Sequence, residues 1–168
     1  MNLYGYVGNN PINVIDLWGL YTEVITFNPV GQGKSSFGHT AINLNGVIYS
    51  FGERGWFTEP FEDYMKRNNF RTATGQVLDL TPDDEAMLKD AFMKDMKRNP
   101  KWTAKNNCTV RARTMLDQAT LGGFEWQPET SYPEEFRRLL DQMKVVKDFI
   151  VYPKVPSPSA SGGSSSSP

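Results

Sequence analysis

The sequence predicts an α+β domain: a mostly antiparallel sheet of four to six strands with one cysteine-bearing helix packed on it. Three observations lead there. Asn45-Gly46 separates two alternating apolar runs, the strongest short hairpin signal a sequence can carry. Thr81-Pro82-Asp83-Asp84-Glu85 is a full helix start, with a threonine cap, proline at the first helical position and acids in the first turn. Cys108, Ala112, Met115, Leu116 and Ala119 recur at i, i+4, i+7, i+8 and i+11, the buried stripe of an amphipathic helix.

Taken in order, residues Met1 to Leu20 are dense in Asn, Gly and Tyr, with turn signals at Gly8-Asn9-Asn10-Pro11 and no period of their own. The working domain is expected over residues 21–153. Tyr21 to Phe27 reads as a short strand ended by Asn28-Pro29. Gly31-Gln32-Gly33-Lys34-Ser35-Ser36 is a flexible loop; it imitates a phosphate-binding loop but has Asn28 where the first glycine is required. Thr40 to Leu44 and Val47 to Phe51 are the hairpin strands, with Trp56 and Phe57 in a loop just beyond. Pro60 to Arg67 reads as a short helix and Thr74 to Leu80 as a further strand.

The helix opened by Thr81 runs to about Arg98, burying Leu88, Phe92 and Met96, and stops before Pro100. The cysteine helix covers Cys108 to Ala119 and ends at Gly122-Gly123. A third helix starts at Pro133 and ends near Met143, and Lys147 to Tyr152 is a closing strand. Residues 154–168 are a Pro/Ser/Gly tail, expected to be disordered.

At 168 residues the chain is long enough for a real core. Its net charge of −1, with 22% charged residues, offers no basic field for a nucleic-acid backbone. No window reaches eighteen apolar residues, and the N-terminus lacks a basic-then-apolar leader. A soluble chain is therefore expected, exported by a route that reads no cleavable signal. One histidine and one cysteine cannot complete a structural zinc site, so neither metal nor cofactor is expected. The absence of Cys-x-x-Cys excludes the zinc-deaminase pattern and argues against a His-rich nuclease. An ADP-ribosyltransferase stays open, because its Arg, Ser and Glu residues leave no clear spacing.

The lone histidine and the lone cysteine both sit where chemistry would want them. A two-residue turn pairs Leu44 with Val47, Ile42 with Tyr49 and Ala41 with Ser50. Ile42, Leu44, Val47, Tyr49 and Phe51 then form a core face, while His39, Ala41, Ile48 and Ser50 share the other. His39 and Ser50 lie on a diagonal, roughly 7–8 Å apart by Cα. Read alone, His39 fits an ordinary edge histidine equally well. Cys108 lies in the first turn of its helix, where unpaired N–H groups and the dipole favour a thiolate. Asn106 or Asn107 caps that turn, and its free N–H groups suit a developing oxyanion. A single buried cysteine also serves as a small hydrophobe. Trp56, Phe57 and Trp102 are candidates to line a substrate groove, and Trp126 flanks the same helix; plain core packing is the competing use of such aromatics.

Two resemblances add to this reading. Asn10-Pro11-Ile12-Asn13-Val14-Ile15-Asp16-Leu17-Trp18-Gly19-Leu20 resembles the closing signature of the Rhs/YD-repeat core, with Leu17 where that family has proline. There the signature marks where a shell protein cleaves itself and frees a variable C-terminal toxin. It implies a leader remnant over residues 1–20, the Rhs shell as an early partner, and a cognate immunity protein. Separately, Gly38-His39 opening a strand, a hairpin, and Asn107-Cys108 opening a helix resemble the circularly permuted papain-like hydrolases. These comprise permuted NlpC-type enzymes and the lecithin:retinol acyltransferase-like lipid enzymes, in which histidine precedes cysteine.

That resemblance implies Cys108 as nucleophile, His39 as base and Ser50 as the residue that orients the imidazole. Glu53 is a nearby substitute for Ser50, although alternation puts it on the opposite face. It further implies a cysteine hydrolase of the bacterial envelope, delivered into a target bacterium and active in the periplasm. Phospholipid acyl esters come first as substrate, peptidoglycan peptide or amide bonds second. A non-catalytic partner-binding module is the third alternative.

Overall fold

The computed structural model describes residues 21–31, 36–120 and 131–156. The leader over residues 1–20, part of the glycine-rich loop, the Gly122-Gly123 stop, Trp126 and the tail from residue 157 onward lie outside the described residues. Asn45 (φ 51°) and Gly46 (φ 83°) both take the left-handed conformation that a two-residue hairpin turn demands. They join β2 (His39–Leu44) to β3 (Val47–Gly52) in the expected register, Ala41 with Ser50, Ile42 with Tyr49 and Leu44 with Val47. β1 (Thr22–Phe27) pairs with β2, and β5 (Ala73–Leu78) pairs with β1. β6 (Val146–Tyr152) closes one edge of the sheet. β4 (Gly55–Pro60) closes the other, giving six antiparallel strands in the order β4-β3-β2-β1-β5-β6.

Residues expected in a loop, Trp56 and Phe57, thus lie in a strand. β4 escapes notice because three of its six residues are exposed and it ends in proline, as edge strands can. Helix α1 (Phe61–Asn68) follows it directly. α2 (Pro82–Arg98) starts on the Thr81 cap, which forms a reciprocal capping box with Asp84. α3 (Cys108–Ala119) and α4 (Pro133–Gln142) complete the chain of elements. No helix of the described residues is long and apolar enough to cross a membrane.

The sheet is buried on both faces. Val24, Ile42, Leu44, Tyr49 and Leu78 on one face pack with Leu88 and Phe92 of α2, Met115 and Leu116 of α3, and Phe136 and Leu140 of α4. On the other face Ile25, Phe27, Ala41, Ile48 and Ala73 pack around Tyr64 of α1. The hairpin face expected to be the less apolar one is therefore a second, smaller core, because α1 covers it. Val47, expected in the larger core, is 40% exposed, since it lies at the turn beyond the reach of the helices. Met96 is only partly buried at the margin of that core.

Candidate active site

Gly38 fixes the approach to His39. Its φ is +83°, and a side chain there would bring Cβ within 2.5 Å of the Phe27 carbonyl oxygen. The glycine before the histidine is thus a backbone requirement: it lets the chain turn tightly against β1 and enter β2. Alternation then sends Thr40 towards α3, where its hydroxyl lies 3.1 Å from that of Thr109. His39 takes the opposite face. Its Nε2 lies 2.8 Å from Ser50 Oγ, which is 3.2 Å from the Tyr64 hydroxyl. Phe27 packs against both rings at centroid distances of 6.3 Å and 5.7 Å.

α3 brings Cys108 to the same end of β2. Asn107 caps the helix, its Oδ1 accepting from the N–H groups of Thr109 (3.0 Å) and Val110 (3.2 Å). Its Nδ2 donates to the carbonyl oxygens of Ala104 and Ser131. Every polar atom of that side chain is therefore occupied by the local fold. Asn106 does not cap: its Nδ2 donates to the Lys101 carbonyl and its Oδ1 accepts from Arg111 Nε. Arg111 in turn pairs with buried Asp95, which also accepts from Trp56 Nε1 at 2.8 Å. Asn106 is a brace for that charge pair and does not line the cavity around the thiol.

The register between β2 and β3 ends at Ala41–Ser50, short of Thr40 and His39, while β3 runs on to pair with β4. Where the two strands part, the thiol of α3 and the imidazole on the far face come to border one cavity of about 980 Å³. Its wall includes Phe51, Trp56, Phe57, Trp102 and Tyr132. The three aromatics expected at a groove are all there; Phe57 is 37% exposed and Trp102 41%. Glu53 lies on that wall too, but the hydrogen-bond partner of His39 Nε2 is Ser50.

No protein-family model, curated protein or solved structure matches this chain. The chemistry of the site is then read from its own atoms.

Burial pushes the Cys108 thiol above its ordinary value, opposed by the Thr40 backbone N–H, by the Thr109 hydroxyl and by the N–H groups of Thr109 and Cys108 itself. Burial, together with the Arg71 and Arg67 guanidinium groups, pulls His39 down to about 3. Tyr64 is pushed up to about 12, chiefly by burial. Both Cys108 and His39 therefore rest neutral at pH 7. They share the cavity without a hydrogen bond between them, and Ser50 engages the ring at Nε2. With hydrogen on Nε2 donated to Ser50, Nδ1 offers its lone pair to an incoming proton.

Tyr64, Arg67 and Arg71 escape a reading of the sequence. They reach His39 from α1 and the turn after it, and no spacing pattern marks them. Among the described residues, no three His, Cys, Asp or Glu side chains are grouped to hold a metal ion.

Proposed function

We propose that this chain is a cysteine-dependent acyl hydrolase, the toxin unit of an Rhs-type protein, and that its substrates are phospholipid acyl esters of the bacterial envelope. One observation carries the reading: the lone thiol and the lone imidazole, 69 positions apart in sequence, border a single cavity with an aromatic wall. The sheet and helix arrangement also suits a permuted papain-like order, histidine strand before cysteine helix.

In the proposed step, His39 Nδ1 accepts the Cys108 proton as sulfur attacks the ester carbonyl. The Cys108 N–H, the first-turn donor that the Asn107 side chain does not take, steadies the oxyanion. The tetrahedral adduct collapses to an acyl-thioester, and imidazolium returns the proton to the departing alcohol. Water, deprotonated by His39, then releases the fatty acid and restores the thiol. Ser50, held by Tyr64, keeps the ring in the tautomer that can accept. Because both groups start neutral, proton transfer accompanies attack; no resting thiolate is required.

The aromatic wall favours a lipid chain over a glycan. Charged residues on the same wall, Glu53, Arg54, Glu59 and Arg67, favour peptidoglycan peptide as the second reading. Phospholipid vesicles and purified sacculi, each treated with wild type and Cys108→Ala, separate the two. We expect fatty acid release from vesicles, reduced at least a thousandfold in the variant. Release from sacculi alone would transfer the activity to peptidoglycan, and full toxicity of Cys108→Ala would end the hydrolase reading. Growth arrest only on export to the periplasm, relieved by an immunity protein that covers the cavity, is the expected cellular behaviour.

A further inference from the structure

Beside the large cavity lies a smaller recess of about 170 Å³, bordered by Gly38, His39, Ser50, Tyr64, Arg67 and Arg71 among others. Arg71 is the unusual member. It is only 7% exposed, yet it makes no ion pair among the described residues. Nη2 donates to Asn68 Oδ1 at 2.7 Å, and the guanidinium lies 4.6 Å from the centre of the Phe27 ring. Nε and Nη1 are buried with no hydrogen-bond partner among the described residues. A guanidinium buried without a counter-ion is costly, and its remaining donors form the fork that matches an oxyanion.

Neighbouring Arg67 differs. It is paired with Glu59 and stacks over Phe57 and Tyr64, so its charge is already answered. Gly38, His39, Phe57 and Arg67 border both cavities, so the basic recess adjoins the aromatic one at His39. A large apolar hollow beside a small basic one is the outline of an amphiphile with an anionic head.

We propose that the recess beside His39 binds the phosphate of a phospholipid headgroup through Arg71, while the acyl chain occupies the aromatic cavity. This rests on the acyl-hydrolase reading of Cys108 and His39, and it specifies which part of the substrate each cavity takes. The phosphate supplies the charge that Arg71 lacks. It also sets the ester beside His39, which borders both cavities, within the hollow that Cys108 lines.

The test measures binding, so that it stands apart from turnover. Full-length Cys108→Ala protein is titrated by calorimetry with diheptanoylphosphatidylcholine below its micellar concentration, and with the diacylglycerol of the same chains. We expect the phospholipid to bind about thirtyfold more tightly, with Arg71→Gln in the same background erasing the preference. Arg71→Lys, which keeps the charge and loses the fork, should retain part of it, and it serves if a thermal melt shows Arg71→Gln unfolded. Equal affinity for both lipids, or a preference that survives Arg71→Gln, overturns the proposal. Inorganic phosphate binding as tightly as the lipid would make this a site for free phosphate. Arg71-dependent binding of a muropeptide in preference to the phospholipid would give the recess to a peptide carboxylate. A protein that shows the lipid preference but hydrolyses no ester would keep the recess and lose the hydrolase reading.

Discussion

The two faces of the sheet are buried to a similar degree and built from different chemistry. The α3 face is a broad apolar cluster drawn from three helices, with Leu88, Phe92, Met115, Leu116, Phe136 and Leu140 fully buried. The α1 face has one helix, a small cluster around Tyr64, and polar groups within it: Ser50, Glu23 and Arg71. Glu23 is held there by Tyr152 at 2.7 Å and Asn43 at 3.3 Å. One face supplies stability. The other spends some of it on buried polar atoms, with Arg71 Nε and Nη1 left without partners among the described residues. Proteins tolerate that where the atoms have work to do.

The sharpest way to break the contrast is to damage each face in turn. Leu116→Ala, on the α3 face, should cost about 2–5 kcal/mol in a denaturant titration, because the cavity cannot collapse between α3 and the sheet. Protein that remains folded should keep the full rate of the proposed ester hydrolysis. Ser50→Ala removes one hydroxyl from the other face and should cost about 1–3 kcal/mol, since it strips partners from His39 and Tyr64. Its larger consequence should be a kcat reduced about ten- to hundredfold, as the imidazole loses its orienting contact. A Ser50→Ala enzyme at full kcat would remove Ser50 from the site.

pH divides two buried groups of the α1 face by sign. His39 is held at about 3 against an ordinary value of 6.5, so between those limits the unfolded chain binds a proton that the folded protein does not. Its contribution to stability is complete above pH 6.5 and drains away as pH falls towards 3. Glu23 works the other way: burial raises its carboxyl, so its contribution grows as pH falls through its folded value. Chemical melts at pH 7, 5 and 4 should therefore show a shallower loss for His39→Gln than for wild type. Parallel slopes would mean that His39 is solvated like an ordinary imidazole.

The elements that announce themselves in sequence are those whose signals are local. The Asn45-Gly46 turn dictates its own dihedrals, and the Thr81 box and the Asn107 cap set where α2 and α3 begin. Cys108 and His39 stand out because each is single. β4 does not, since its pairing with β3 is tertiary and its outward residues break the alternation. Asn106 and Asn107 look interchangeable as letters; only backbone geometry, φ −114° and ψ −171° at Asn107, decides which one caps. The Arg71 recess was illegible for a further reason. Its meaning lies in partners that are missing, and a sequence shows residues without showing which of their hydrogen bonds go unmade.

The resting protonation of the pair can be probed without substrate. Burial raises the Cys108 thiol above its usual value of 9.0, so the rate of iodoacetamide alkylation should climb steadily with pH, with no plateau between pH 5 and 8. A plateau near pH 6 would reveal a preformed thiolate–imidazolium pair and contradict concerted transfer.

The smallest expected effect tests whether the α3 cap tunes the sulfur or only starts the helix. Asn107→Asp keeps a capping oxygen for the Thr109 and Val110 N–H groups, and aspartate ranks with asparagine as a cap. What it loses is Nδ2 and the two bonds to the Ala104 and Ser131 carbonyls, a loss of about 1 kcal/mol in a thermal or chemical melt. What it adds is a negative charge beside Cys108, which disfavours the thiolate and should slow alkylation on the order of threefold at pH 8. Slowing the sulfur without unwinding the helix, checked by circular dichroism, would show that the thiol feels the charge at its cap. An unchanged rate would mean that the Thr40, Thr109 and Cys108 N–H groups alone set the sulfur's environment. The asparagine's contribution would then be confined to holding the 101–107 loop and Ser131 in place.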